Sequence, residues 1–226
     1  MAKLHSFTSI ELESFVFPSS IKPPSATKTL VLAGAGVRRL EIQGNIMKAA
    51  VAALYLEEKA IESLIVNWNG KTDVELLDSH EFFNEIYNGP FEKLIHVSLL
   101  VPSTGKFFSE AAAEKIVKAW KDNGTYNDED AAATIEKYLN IFKDENLVPG
   151  NSVLYTILSD GSVTVNIAKD GIIPAAPIAV LENKKIGYMF MKAMFRKDDG
   201  TVPEARQSVA SRISGFFNKR ESSRVS

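Results

Sequence analysis

Two adjacent arginines, Arg38 and Arg39, are the residues of this chain best suited to chemistry. A guanidinium stays charged, offers its donors in a planar fork, and matches carboxylates, phosphates and developing oxyanions. Neighbouring side chains on a strand leave opposite faces, so one of the pair points toward whatever covers the sheet. Burying that cation alone is expensive. It either snorkels to water or takes an anionic or carbonyl partner. The other candidates carry less. His96 lies in an apolar run and reads as a hydrogen-bonded core residue. His5, His80 and His96 are too scattered for a metal site, and the absence of cysteine excludes disulfides and thiol catalysis. Gly34-Ala35-Gly36 is not completed to a dinucleotide fingerprint: Arg39 occupies the third glycine position and a strand follows. Asn123-Gly124-Thr125 matches a glycosylation sequon but reads as a helix cap. No Ser/His/Asp spacing stands out.

Arg38 must be positioned by the stretch from Leu32 to Glu57, LAGAGVRRLEIQGNIMKAAVAALYLE. Gly34 to Gly36 reads as a turn, and two apolar segments of strand length then flank Gln43, Gly44 and Asn45, a strand–turn–strand unit. Upstream, Ile10, Leu12, Phe15 and Phe17 predict a strand over Thr8 to Phe17, followed by a Pro-rich loop and a strand from Thr29 to Ala33. Downstream, helices are predicted over Glu58 to Asn67, Thr72 to Asn88, Phe107 to Asn123, Asp128 to Lys143, Asn183 to Phe195 and Pro203 to Phe217. Phe91 to Val101 reads as a strand, Ile178 to Leu181 as a short segment after a proline-bounded loop, and Ser152 to Ala168 as a hairpin turning on Asp160-Gly161. The succession of strands, helices, hairpin and helices is an α+β arrangement on an antiparallel sheet.

The 226 residues suffice for one substantial core, read as a single domain over 1–217, with a short, basic, Ser-rich stretch over 218–226 expected to be a disordered tail. A net charge of −2 with mixed signs provides no basic face for nucleic acid. No apolar run approaches the roughly 20 residues of a membrane span. Residues 1–20 lack the apolar core of a signal peptide, so the default expectation is a cytoplasmic protein.

The central stretch, with WNGKT (68–72), GPFEKLI (89–95), PSTGKFFS (102–109), PGNSVLY (149–155) and LENK (181–184), resembles plant chalcone isomerase in order and spacing over nearly the whole chain. The resemblance implies an open-faced β-sandwich, a large antiparallel sheet layered with helices, with the ligand cleft between the two. It also implies closure of a 2′-hydroxychalcone to a (2S)-flavanone without a cofactor. The family's catalytic arginine falls on Arg38, where it would hold the attacking oxyanion.

Other family positions are changed. A threonine of the family falls on Ala50, its active-site tyrosine on Phe108, an asparagine on Lys115 and a late threonine on Ala193. In the family those hydroxyls organise a water against the ketone oxygen, where enolate charge develops. Ala49 replaces a phenylalanine, Ala52 an isoleucine, and Ala111 and Ala112 a lysine and a valine. With Leu40 and Met194 these residues are expected to line a wider, more apolar cleft, unless Met47, Met191 or Met194 fills it. Lys115, set in an apolar cleft, is a candidate base.

Three functions are compatible with these substitutions. The first is a cyclase or isomerase acting on a plant metabolite bulkier or more apolar than chalcone, through Arg38 and Lys115. The second is a non-catalytic protein that binds a flavonoid, a fatty acid or a flavonoid-pathway enzyme. The third is a residual chalcone isomerase, slow but real because positioning alone accelerates a favourable cyclisation. Keeping Arg38 while losing the hydroxyls places the changed enzyme first.

Overall fold

A computed structural model describes residues 7–126 and 129–222. The N-terminal segment is a hairpin of β1 (Ile10–Leu12) and β2 (Phe15–Phe17), not one strand, because Glu13 takes a positive φ of 55°. A two-residue β3 (Ser20–Ile21) follows within the Pro-rich loop. β4 (Leu30–Ile42) and β5 (Asn45–Glu57) are 13 residues each and turn at Gln43-Gly44, both with positive φ, as a two-residue hairpin requires. The chain continues through α1 (Glu58–Asn67), α2 (Asp73–Asp78), α3 (His80–Asn88), β6 (Lys93–Leu99) and β7 (Ser103–Thr104). α4 (Gly105–Asp122), α5 (Glu129–Phe142), β8 (Asn146–Leu147), β9 (Ser152–Ile157), β10 (Val163–Ala168), β11 (Ala179–Leu181), α6 (Ile186–Phe195) and α7 (Pro203–Ser222) complete it.

Seven strands form one antiparallel sheet in the order β11-β10-β9-β6-β5-β4-β3. Alternation along β5 sends Ala50, Ala52, Leu54 and Leu56 into the core beneath the helices, and Val51, Ala53 and Tyr55 toward a smaller cluster with Phe17 of β2. The architecture is therefore α+β, one sheet with a helical layer on one face and a short hairpin on the other. No described helix is long and apolar enough to cross a membrane.

Three further expectations are corrected. Gly34-Ala35-Gly36 is not a turn but part of β4, and its glycines serve a close approach. A Cβ on Gly34 would lie 2.6 Å from the Val209 amide nitrogen, and one on Gly36 2.3 Å from that of Ala205. α7 thus packs backbone against backbone on this strand, and its side chains satisfy β4 amides: Ala35 N–H donates to Ser208 Oγ (3.2 Å) and Val37 N–H to Glu204 Oε2 (3.0 Å). The helix expected over Thr72 to Asn88 is two helices. Thr72 and Glu75 form a capping box for α2, and Ser79, with extended backbone (ψ 119°), restarts the chain by accepting the Phe82 amide. The last helix runs to Ser222 rather than ending at Phe217. Residues 223–226 lie outside the described residues, as does Asp128, the expected start of α5.

The helix layer is pinned by Arg206 of α7. Buried and stacked over Phe83 at 3.5 Å, it donates to Phe195 O (2.7 Å) and Leu77 O (2.8 Å), at the C-terminal ends of α6 and α2. One cation there meets the unsatisfied carbonyls and negative dipole ends of two helices.

Candidate active site

The register of β4 against β5 slips at two places, between Leu32 and Gly34 and between Arg38 and Arg39. At the second slip Arg38 pairs with Ala50 and Arg39 with Lys48, so Ala49 is the extra residue of a bulge. A bulged residue escapes strict alternation, and Ala49 faces the same cavity as its neighbour Ala50. The slip also separates the arginines. Arg39 is exposed and ion-paired with Glu204 at the β4 edge, whereas Arg38 turns beneath the helix layer.

α4 forms the opposite wall. Thr104 caps it by accepting the Phe107 amide, and β7 pairs with β8 to hold its start. A Cβ on its first residue, Gly105, would lie 2.0 Å from Phe142 O, so α4 begins tight against the end of α5. From there Phe108, Ala111, Ala112 and Lys115 recur at the spacing of one helix face.

Two chambers lie between this wall and the sheet, adjoining at Arg38 and Phe108. The larger, about 320 Å³, includes Leu40, Ala49, Ala50 and Ala111 in its lining. It lies at the small end of the range of about 300–1,000 Å³ typical of small-molecule sites. The smaller, about 50 Å³, includes Ala112, Lys115, Ala193 and Met194. Every residue expected to line the cleft borders one or both chambers except Ala52. That residue is sealed in the helix-side core, paired with Gly36 and Val97, and its size serves packing rather than a ligand. Met47 lines the larger chamber without filling it. Sequence reasoning missed three polar groups, Ser103, Tyr155 and Thr201. Tyr155 lay within a motif quoted for other reasons, while Thr201 arrives from the connection between α6 and α7 and has no local signal.

Arg38 forms no hydrogen bond or ion pair among the described residues, and its Nε is buried without a partner. Burial pulls its pKa below the ordinary guanidinium value, with Tyr138 and Tyr155 partly offsetting the shift. Those two hydroxyls bond to each other at 3.0 Å in the core beside it, and burial raises the pKa of both. The site therefore holds a fixed cation facing apolar space, with neutral phenols behind it. His96 plays no part. It lies on the other face, edge-on to Phe15 and Phe17, each at 5.4 Å. It is buried as expected, but neither ring nitrogen has a partner, and burial lowers its pKa to about 4.

This arrangement has relatives. The family model described as chalcone-flavanone isomerase matches residues 12–216. A chalcone–flavanone isomerase of Saussurea medusa is 51% identical over 219 residues, covering 97% of this chain and 94% of that protein. Those of Gossypium hirsutum and Vitis vinifera are 45% and 42% identical, covering 94% and 97% of this chain and 93% of each relative. Among solved structures, a fatty-acid binding protein of Arabidopsis thaliana superposes with a TM-score of 0.73 at 14% identity, over 93% of this chain and 99% of that one. With a family match across nearly its full length and relatives sharing about half its residues, the chain belongs to the chalcone–flavanone isomerase family.

Proposed function

We propose that this protein is an isomerase that closes a phenolic oxygen onto a conjugated enone of the chalcone type, using Arg38 and the shape of the larger chamber. The observation that carries this reading is the Arg38 guanidinium, half-buried, unpaired and turned into an apolar cavity of ligand size. In the reaction the phenolate oxygen bonds to the enone β-carbon, the C=C electron pair moves to the carbonyl oxygen as an enolate, and a proton then adds at the α-carbon. Substrate and product are isomers, and the sequence of steps calls for no redox or group-transfer partner. Arg38 holds the attacking oxyanion against the enone, a charge-assisted contact that also fixes geometry. Relatives named chalcone–flavanone isomerases at 42–51% identity support this substrate class over the bulkier one that the alanines suggest.

Ala50 and Phe108 provide no hydroxyl where enolate charge develops, so the rate rests on positioning and on Arg38. Loss of 2′-hydroxychalcone enone absorbance, followed with wild type and Arg38→Ala, tests the reading. The wild type is expected to exceed the buffer rate and Arg38→Ala to lose roughly 10- to 100-fold in kcat/KM, the worth of a hydrogen-bonded charge. A wild-type rate equal to buffer overturns it. The almost wholly apolar lining would then favour a second reading, a binding protein that anchors the acidic head of an apolar ligand on Arg38.

A further inference from the structure

Lys115 borders the smaller chamber together with Arg38, and no aspartate or glutamate lines either chamber. Of the other lysines of α4, Lys106 pairs with Glu110 and Lys118 with Asp122 and Asp199, while Lys121 lies over the Tyr126 ring. Lys115 is half-buried and has no ion pair or hydrogen bond among the described residues. Both basic side chains therefore border one small, mostly apolar void with no acidic partner among the described residues. An anion placed there gains charge-assisted contacts from both.

We propose that the smaller chamber is an anion subsite in which Lys115 and Arg38 together hold an ionised group of the ligand, a carboxylate in the first instance. At about 50 Å³ the chamber admits a group of a few heavy atoms and no aromatic ring. The hydroxyls of Tyr155 and Thr201 are the remaining polar side chains of its lining. Lys115 is then a specificity-determining residue that selects ligands bearing an acid at one end of the apolar body. This inference rests on the isomerase reading only in placing that body in the larger chamber.

The test measures binding, not turnover, with trans-chalcone, 4-carboxychalcone and 4′-carboxychalcone. None of them has a 2′-hydroxyl, so none can cyclise, and an absence of cyclase activity leaves the outcome interpretable. Calorimetric titration of the wild type is expected to show one carboxylate isomer binding about 100-fold tighter than trans-chalcone, roughly tenfold from each cation. Lys115→Gln is expected to reduce that preference about tenfold and Lys115→Arg to retain it, with thermal melts confirming that both variants fold. A wild-type preference below about threefold, or a preference unchanged in Lys115→Gln, overturns the proposal.

Discussion

Introducing hydroxyls at Ala50 and Phe108 tests the proposed chemistry of this site. In the double variant Ala50→Thr/Phe108→Tyr, threonine would stand directly opposite Arg38 in the β4–β5 register, and tyrosine at the residue bordering both chambers. Both positions are buried, at 1% and 5% exposure, so a donor there acts in a desolvated setting where it is worth most. The space exists: the threonine adds two heavy atoms beside a chamber of about 320 Å³, and the tyrosine adds one oxygen to a ring that already borders both chambers. One donor aimed at a developing oxyanion contributes about 2–3 kcal/mol, and two sharing the same charge contribute somewhat less than twice that. The expected gain in kcat is therefore on the order of 100- to 1,000-fold, read as the rate of enone loss at saturating 2′-hydroxychalcone. In an Arg38→Ala background the gain should collapse if, as proposed, Arg38 holds the attacking oxygen. A folded double variant no faster than wild type would refute the argument, since cyclisation would then not be limited by the charge on the ketone oxygen.

Two further outcomes follow from packing and burial. For His96, the pKa of about 4 in the fold lies below the unfolded value of about 6.5, so the unfolded chain binds more protons between those values and stability is lost as the pH is lowered across that window. The contribution is about 2 kcal/mol between pH 7 and pH 5, and denaturant melts of His96→Leu should lack it; equal slopes in both proteins would contradict the assignment. Gly36→Ala should push the first turn of α7 off β4 and cost about 1–3 kcal/mol, lowering the melting temperature by roughly 3–10 °C. Gly215→Ala, on an exposed helix position with nothing within 4 Å, should hold or slightly raise it, and a Gly36→Ala protein that melts with the wild type would discount the close contact.

Much of the framework was legible because its signals are local. The Asp160-Gly161 hairpin and the bounds of α1 were readable from turn residues and periodicity alone. What was misread depended on distant partners. Glycine marks a turn and a close approach equally well, and only the position of α7, some 170 residues away, shows that Gly34 and Gly36 serve the second purpose. Ser79 was read as helix interior because flanking apolar residues continue the period, yet its side chain caps the next helix. Arg38 was recognisable by type and by resemblance, and its lack of a partner required coordinates. Ala49 had no propensity reason to be in a strand, and the bulge supplies a geometric one.

A single face of β4 explains where the cleft begins. Gly34 and Gly36 face α7, where even a methyl group would collide with helix backbone; Arg38 and Leu40, the next residues of the same alternation, border the cavity. The change from glycine to large side chains along that strand marks the line at which the helix stops touching the sheet. β5 repeats the division, for Ala52 opposite Gly36 is sealed in the core, while Ala50 opposite Arg38 borders the chamber. Two alanines of the same size therefore do different work, and the residue across the strand pair tells them apart. Glu204 ties the halves together: one carboxylate oxygen accepts the Val37 amide and the other pairs with Arg39, fixing the backbone on both sides of Arg38. Arg38 can thus remain unpaired, because its neighbours, rather than its own side chain, are held by α7.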